Sequence, residues 1–380
     1  MGKRIEIVIN YDYNEDWIGG TYYIQNLIHA LNSVEEDEKK PILLIKSKNR
    51  KDTENLRRIT GYPYMEIFYP YKNLNKLQRG INKLSRKILN KNLISIYVKP
   101  KLTFPAPFSN KSDWEKMIYW IPDFQEKKLP HFFSEEELSE RHNAYTTIQK
   151  KTNYLVFSSK DAQNDFNTYY PNAKPKQFVL NFAVTHDKNL PHQNDILKKF
   201  NIEQEFYLCS NQFWIHKNHI VILNTVATLK KKGIELLIVF TGKENDYRNP
   251  DYFLDLMKKV KELAIENNVK FLGFIDRKDQ LVLMQTCKAV VQPSLFEGWS
   301  TVIEDAKAQS TYVLAANLQV NTEQLQDYPN YTLFDPYCEE SLSEAILKTN
   351  FETKKYNYHP NIIKFGNAFL SITEIMTGKQ

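Results

Sequence analysis

Short apolar runs alternate with amphipathic stretches along most of this chain, and their order predicts its architecture. RIEIVIN reads as a buried strand, and DWIGGTYYIQNLIHALNSV then predicts a Gly-Gly turn and a helix with Ile24, Leu27, Ile28 and Leu31 on one side. PILLIK supplies the next strand. Strand, loop, helix and strand at short spacing open a parallel α/β unit. Further strands are predicted at ISIYVKP, KMIYWIPD, NYLVFSS and PKQFVLNFA, with SSKDAQNDFNTYYP as a helix capped by Ser158 or Ser159.

The polar, proline-bearing stretch THDKNLPHQND reads as a linker, after which a second alternation begins. EFYLCSNQ, ELLIVFTG, VKFLGFI and AVVQPSLF predict its strands, and NHIVILNTVATLKKKG, DYFLDLMKKVKELAIENN and DQLVLMQTC its helices. Two tandem parallel-sheet domains follow, at 1–190 and 191–360, with a last helical segment over 361–380. Its pattern does not say whether that segment docks back on the first domain. Ligands of such sheets sit beyond the carboxyl ends of the strands, and a cleft between domains is the commonest place for one.

Size supports two cores, since 380 residues exceed what one core comfortably serves. With 42% hydrophobic and 25% charged residues the chain is globular, and a net charge of +6 is too small and dispersed to argue for nucleic acid. Cys209, Cys287 and Cys338 lie far apart and read as reduced thiols. No segment has the length of a signal or membrane-spanning helix, so a cytoplasmic location is expected, with contact to the inner face of the membrane open.

SLFEGWSTVIEDAKAQS carries the sharpest chemical signal. A buried strand ends at a Glu-Gly turn and a helix starts, with Ser300 or Thr301 as cap and Glu304 near the first turn. Free amides and the helix dipole at such a junction suit a phosphate.

FEGWSTVIEDAKA, IGGTYY, SNQFWIHKNH and VKFLGFIDRKDQLVLMQTCKAVVQPSLFEG, in this order, resemble the motifs of the retaining nucleotide-sugar glycosyltransferases of family 4. The resemblance is good over 208–309. It implies the GT-B fold, two Rossmann-like parallel-sheet domains facing each other across a cleft, and transfer from a nucleotide diphosphate sugar without an essential divalent metal. It also implies roles. Glu297 faces the transferred sugar, Asp305 accepts from the ribose diol, and Lys217 meets the pyrophosphate. Gly19 and Gly20 form a loop over the phosphates. Gly298, Trp299, Ser300, Thr301 and Val302 line the acid turn, and Phe274 and Ile275 lie near the base. Each has a plainer reading: Glu297 as a solvated turn residue, Asp305 as a first-turn acid, the glycines as turn formers and Lys217 as a surface lysine. Glu304, next door, leaves open which acid reaches the ligand.

Two departures stand out. Gln212 occupies the family's arginine position, and Asp123, in YWIPDFQ, stands where many members carry a histidine. Asp123 orients the acceptor or touches the sugar on one reading and caps a turn on the other. His216 and His219 have no partners at metal-ligand spacing. Within 74–92, Leu74, Leu77, Ile81, Leu84 and Ile88 repeat at threes and fours amid Lys76, Arg79, Lys83, Arg86, Lys87 and Lys91. An anionic membrane surface or lipid-linked acceptor suits this helix, as does burial in a core with a basic outer face.

The function expected is transfer of a sugar to a hydroxyl of a glycan or lipid-linked acceptor in cell-surface polysaccharide or lipopolysaccharide synthesis. A nucleotide-sugar epimerase or hydrolase on the same fold is one rival. A noncatalytic glycosyltransferase-like partner protein is another, kept open by Gln212 and Asp123.

Overall fold

Alternating strands and helices build two parallel sheets. The computed structural model describes residues 4–14, 18–70, 73–95, 101–108, 116–187 and 189–378. The N-terminal half begins with β1 (Glu6–Asn10), α1 (Ile18–Asn32), β2 (Ile42–Lys46), α2 (Arg50–Thr60), β3 (Met65–Ile67), α3 (Lys76–Leu89) and β4 (Leu102–Phe104). It continues with β5 (Ile118–Ile121), α4 (Gln125–Lys128), α5 (Glu135–Lys151), β6 (Tyr154–Phe157), α6 (Lys160–Tyr169) and β7 (Lys176–Val179). A four-stranded sheet, β3-β2-β1-β4, is prolonged by the three-stranded β5-β6-β7 through a bridge between Thr103 and Met117. The runs Ile7–Ile9 and Ile118–Ile121 are buried throughout, as strands covered on both faces require.

The C-terminal half runs α7 (Gln193–Lys199), β8 (Phe206–Ser210), α8 (His219–Lys231), β9 (Leu237–Thr241), α9 (Tyr252–Glu262), β10 (Val269–Phe271), α10 (Arg277–Thr286), β11 (Val290–Gln292) and α11 (Thr301–Gln309). Then follow β12 (Val313–Ala316), α12 (Gln319–Leu325), β13 (Tyr331–Phe334), α13 (Glu339–Lys348) and α14 (His359–Thr377). Its sheet order is β10-β9-β8-β11-β12-β13, all parallel. The winding reverses between β8 and β11, which opens a crevice at their carboxyl ends. In the N-terminal sheet the reversal falls between β1 and β4.

The last helix crosses back. Phe365, Phe369, Leu370 and Ile372 of α14 enter the N-terminal core beside Leu27, Ile28 and Leu31 of α1. A Cβ on Gly366 would lie 2.5 Å from the Ala30 carbonyl oxygen, so a glycine is what lets the helices meet.

Some local expectations are corrected. Gly19 and Gly20 are not a turn preceding a helix: α1 starts at Ile18 and both lie in its first turn. The strand beside β1 is LTF, Leu102–Phe104, while residues 96–100 of ISIYVKP lie outside the described residues. Ser159 is the α6 cap, its hydroxyl accepting from the Ala162 amide at 3.1 Å.

Candidate active site

The two sheets turn their strand ends toward one cleft, where a cavity of about 310 Å³ is walled from both halves. Tyr13, Ile18, Gly19 and Tyr22 come from the end of β1 and the start of α1. Ser210, Asn211 and Gln212 follow β8, Thr241 closes β9, and Thr301, Val302 and Asp305 come from the first turns of α11. Two helix N-termini therefore meet at this cavity from opposite sides, each offering amides and a positive dipole end. Phe274 and Ile275 form an apolar wall, and Arg277 is the cation among the described lining residues.

Asp305 is fully buried in that wall. Its Oδ1 lies 2.8 Å from Nε2 of His186 and accepts from the Arg277 guanidinium, while Oδ2 has no hydrogen-bond partner. Burial alone would raise this carboxyl; Arg277 and His186 overcome burial and hold it below the usual carboxylate range. Arg277 also sits 5.2 Å over the Tyr22 ring, which ties the pair to α1. The result is a charged acceptor with one oxygen uncommitted, the kind of group that takes a hydroxyl.

Its neighbour Glu304 is fully committed elsewhere. It accepts from the Tyr358 hydroxyl, from Lys307 Nζ at 3.0 Å and from Gln324 Nε2 at 2.9 Å. Adjacent helix positions point in different directions, so one acid faces the cavity and the other fastens α11 to α12 and to the chain entering α14.

Beside the cavity lies a second cluster. Lys217 Nζ stands 2.6 Å from Glu297 Oε1, which also accepts from Gln292 Nε2 at 2.7 Å. Asp123 approaches from the N-terminal half, its Oδ1 accepting from the Gln125 amide at 3.1 Å. Burial raises its carboxyl and Glu297 adds to the rise, against the Gln125 amide, Arg141 and Lys217. The halves are in close contact here. A Cβ on Gly298 would lie 2.8 Å from the Pro122 carbonyl oxygen and 2.9 Å from Asp123 Cβ.

Of the residues singled out in the sequence, Gly19, Phe274, Ile275, Thr301, Val302 and Asp305 line the cavity. Glu297, Lys217, Asp123 and Gly298 form the adjoining cluster. Gly20 is buried within α1. Trp299 acts as a rivet, its indole N–H donating to the Phe182 carbonyl at 3.1 Å. Ser300 caps α11, and its amide donates to Gln324 Oε1 at 3.0 Å, so that amide is already used. Sequence reasoning missed Tyr13, Tyr22, Ser210, Asn211 and Arg277. Arg277 had a legible signal, a cation directly after the helix cap in FIDRKD, whose Asp276 accepts from the Lys278 amide at 2.8 Å.

His216 and His219 are buried, and His219 stacks on Phe213 with ring centroids 4.5 Å apart. Among the described residues no group of three or more His, Cys, Asp or Glu is arranged to hold a metal. No helix there is long and apolar enough to cross a membrane.

Helix α3 packs with its polar side inward. Asn82 and Ser85 are buried, with Asn82 Nδ2 donating to the Ile94 carbonyl at 2.8 Å and Ser85 Oγ to that of Lys91 at 2.8 Å. Leu77, Leu84 and Ile88 are left 74%, 61% and 70% exposed.

A family model described as Glycosyl transferases group 1 matches residues 193–358. This finding corrects the family 4 label drawn from the motifs. The O-antigen chain mannosyltransferase RfbU of Salmonella typhimurium (strain LT2) is 26% identical over 159 residues, 42% of this chain and 42% of that protein. The capsular polysaccharide biosynthesis glycosyltransferase CapH of Staphylococcus aureus is 19% identical over 264 residues, 66% of this chain and 70% of CapH. The crystal structure of Anabaena Alr3699/HepE in complex with UDP and glucose superposes with a TM-score of 0.59, covering 98% of this chain and 95% of that one at 18% identity. The fold is GT-B, two Rossmann-like parallel sheets facing across a cleft.

Proposed function

We propose that this glycosyltransferase moves a sugar from a nucleotide diphosphate sugar to a hydroxyl of a glycan or lipid-linked acceptor, with retention at the anomeric carbon, in cell-surface polysaccharide synthesis. One observation carries the reading. A single cavity is walled by helix N-termini from both sheets and contains a buried carboxylate, Asp305, with an unpaired oxygen. Dipole ends and Arg277 suit a diphosphate, and the free carboxylate oxygen suits a ribose diol. Phe274 and Ile275 offer a face for the base.

On this reading the leaving diphosphate is stabilised by the α1 and α11 amides and by Lys217, an electrostatic effect in a site that closure of the cleft keeps dry. Lys217 exchanges Glu297 for phosphate when the donor arrives. Glu297, freed, faces the transferred sugar and steadies developing positive charge on this reading. Asp123, whose carboxyl burial pushes upward, acts on the acceptor side. Residues 1–190 then form the acceptor side and 191–360 the donor side. No divalent metal is needed, because helix ends and side chains carry the charge.

The setting is supported by RfbU and CapH, whose names refer to O-antigen and capsular polysaccharide. The exposed apolar face and basic rim of α3 support attachment at an anionic membrane surface, where a lipid-linked acceptor would be met. The test is calorimetric titration with UDP, GDP, ADP and dTDP, followed by turnover of the matching sugar donor. Saturable binding of one diphosphate is expected. Folded protein that binds none of the four would overturn the reading.

A further inference from the structure

A second pocket, about 690 Å³, opens between the halves at the start of α5. His131, Phe133, Ser134 and Glu137 wall it on one side and Ile215, Tyr247 and Arg248 on the other. It shares no lining residue with the nucleotide cavity. It does border the Lys217 cluster, because Ile215 belongs to the same single turn as Lys217. A second link runs from Arg248, whose Nη1 lies 3.4 Å from Gln125 Oε1, to Asp123, which accepts from the Gln125 amide.

Arg248 is the unusual group here. Its side chain is only 8% exposed, and its guanidinium lies 5.1, 5.0 and 5.5 Å from the rings of Phe133, Trp214 and Tyr247. Its Nε is buried with no hydrogen-bond partner, and the nearest carboxylate, Asp246, stands 3.7 Å away. A buried donor left unpaired is costly, so such a site is built for a partner. Tyr247, by contrast, is 65% exposed, with its hydroxyl donating to Glu137 Oε1 at 3.2 Å. An exposed ring held in place by its own hydroxyl is a platform.

We propose that this pocket is the acceptor subsite and that it takes a neutral pyranose ring. The inference rests on the transfer reading above. Among the lining residues Glu137 balances Arg248, so the pocket has no net charge to spend on an ionic ligand. What it offers is an aromatic face for the C–H side of a sugar and a carboxylate and guanidinium for paired hydroxyls. A ring seated there presents its reacting hydroxyl toward Asp123 and Glu297.

The test is saturation-transfer NMR on the whole protein, saturated with the diphosphate that calorimetry selects. The probes are methyl glycosides of glucose, galactose, mannose and N-acetylglucosamine. At least one is expected to receive saturation, and Tyr247→Ala is expected to weaken it by about tenfold while nucleotide affinity stays constant. Phe274→Ala is expected to do the reverse. Failure of nucleotide binding would undo the transfer reading itself. Normal nucleotide binding with no saturation of any glycoside, or with a signal unchanged by Tyr247→Ala, would overturn this inference alone.

Discussion

Lys217 Nζ and Glu297 Oε1 are 2.6 Å apart, each largely buried, in a cluster that Pro122 and Asp123 of the N-terminal half approach at Gly298. A cation already paired with a carboxylate must leave it to reach a phosphate. Neutralising the carboxylate therefore has opposite effects on binding and chemistry. Glu297→Gln is expected to bind the nucleoside diphosphate as tightly as the parent or tighter. It is also expected to lose on the order of a hundredfold in kcat, the scale of a lost electrostatic stabiliser. Calorimetry and donor turnover on one preparation check both. Weaker diphosphate binding in the variant would show that Lys217 does not exchange partners.

Asp305 is the buried partner of Arg277 and, on the proposed reading, a nucleotide ligand, and a double substitution separates the two roles. Asp305→Asn leaves Arg277 without its counter-charge, so a loss of about 3 kcal/mol in urea unfolding is expected, with nucleotide affinity down at least tenfold. Arg277→Met combined with Asp305→Leu removes both charges and is expected to restore most of the stability and none of the affinity. Recovered binding in the double variant would reduce Asp305 to a structural role.

Much of this site could be read from the letters because the cues were local. The Glu-Gly turn and the cap that follows it are consecutive residues, and the short-range rules of strand ends and helix starts apply to them. Partnerships were not legible. Nothing in sequence spacing says that Glu304 meets Tyr358 or that Trp299 is spent on Phe182, since tertiary packing decides these. The glycine pair was misread because Gly-Gly favours turns locally, whereas both residues lie in the first turn of α1, with Gly20 buried. Three-residue β4 is too short to show any period, and it was missed for that reason.

Gly298 is one of the places where the halves touch closely, so adding one methyl group should be felt across the cleft. Its Cβ would fall within 2.8 Å of a backbone oxygen, which cannot rotate aside. Gly298→Ala is expected to lower kcat by about tenfold while nucleotide binding persists, since a displacement of the Asp123 side misplaces the reacting groups. Turnover and calorimetry check this; unchanged kcat would mean that the contact gives way freely.

Buried His219 predicts acid sensitivity. Burial, with Lys217 nearby, lowers its pKa from 6.5 to about 3. Between those values the unfolded chain binds a proton that the folded chain refuses, so stability is complete above pH 6.5 and falls as the pH drops toward 3. By pH 5 the loss from this residue should approach roughly 2 kcal/mol. His219→Phe, which keeps a ring against Phe213, is expected to flatten the slope of unfolding free energy between pH 7 and pH 5 by about that amount. An unaltered slope would place the acid sensitivity elsewhere.

The inverted packing of α3 makes the last prediction. A helix that buries Asn82 and Ser85 and exposes Leu77, Leu84 and Ile88 presents an apolar face of the kind that suits a membrane surface or a partner. Charge selects between them. Residues 73–95 hold Lys76, Arg79, Lys83, Arg86, Lys87 and Lys91 and no acid, which suits an anionic lipid surface. Each such cation contributes about 1 kcal/mol at that surface, so Lys83→Glu, Arg86→Glu and Lys87→Glu together should cost at least a hundredfold in partitioning. Vesicles of phosphatidylglycerol and phosphatidylethanolamine are expected to sediment the parent protein, less so at high salt. Vesicles of phosphatidylcholine are not. Leu77→Ser with Leu84→Ser, on exposed positions that the fold does not need, should release the protein while leaving nucleotide binding intact. If anionic vesicles fail to sediment the parent, the exposed face belongs to a protein partner and the membrane reading falls.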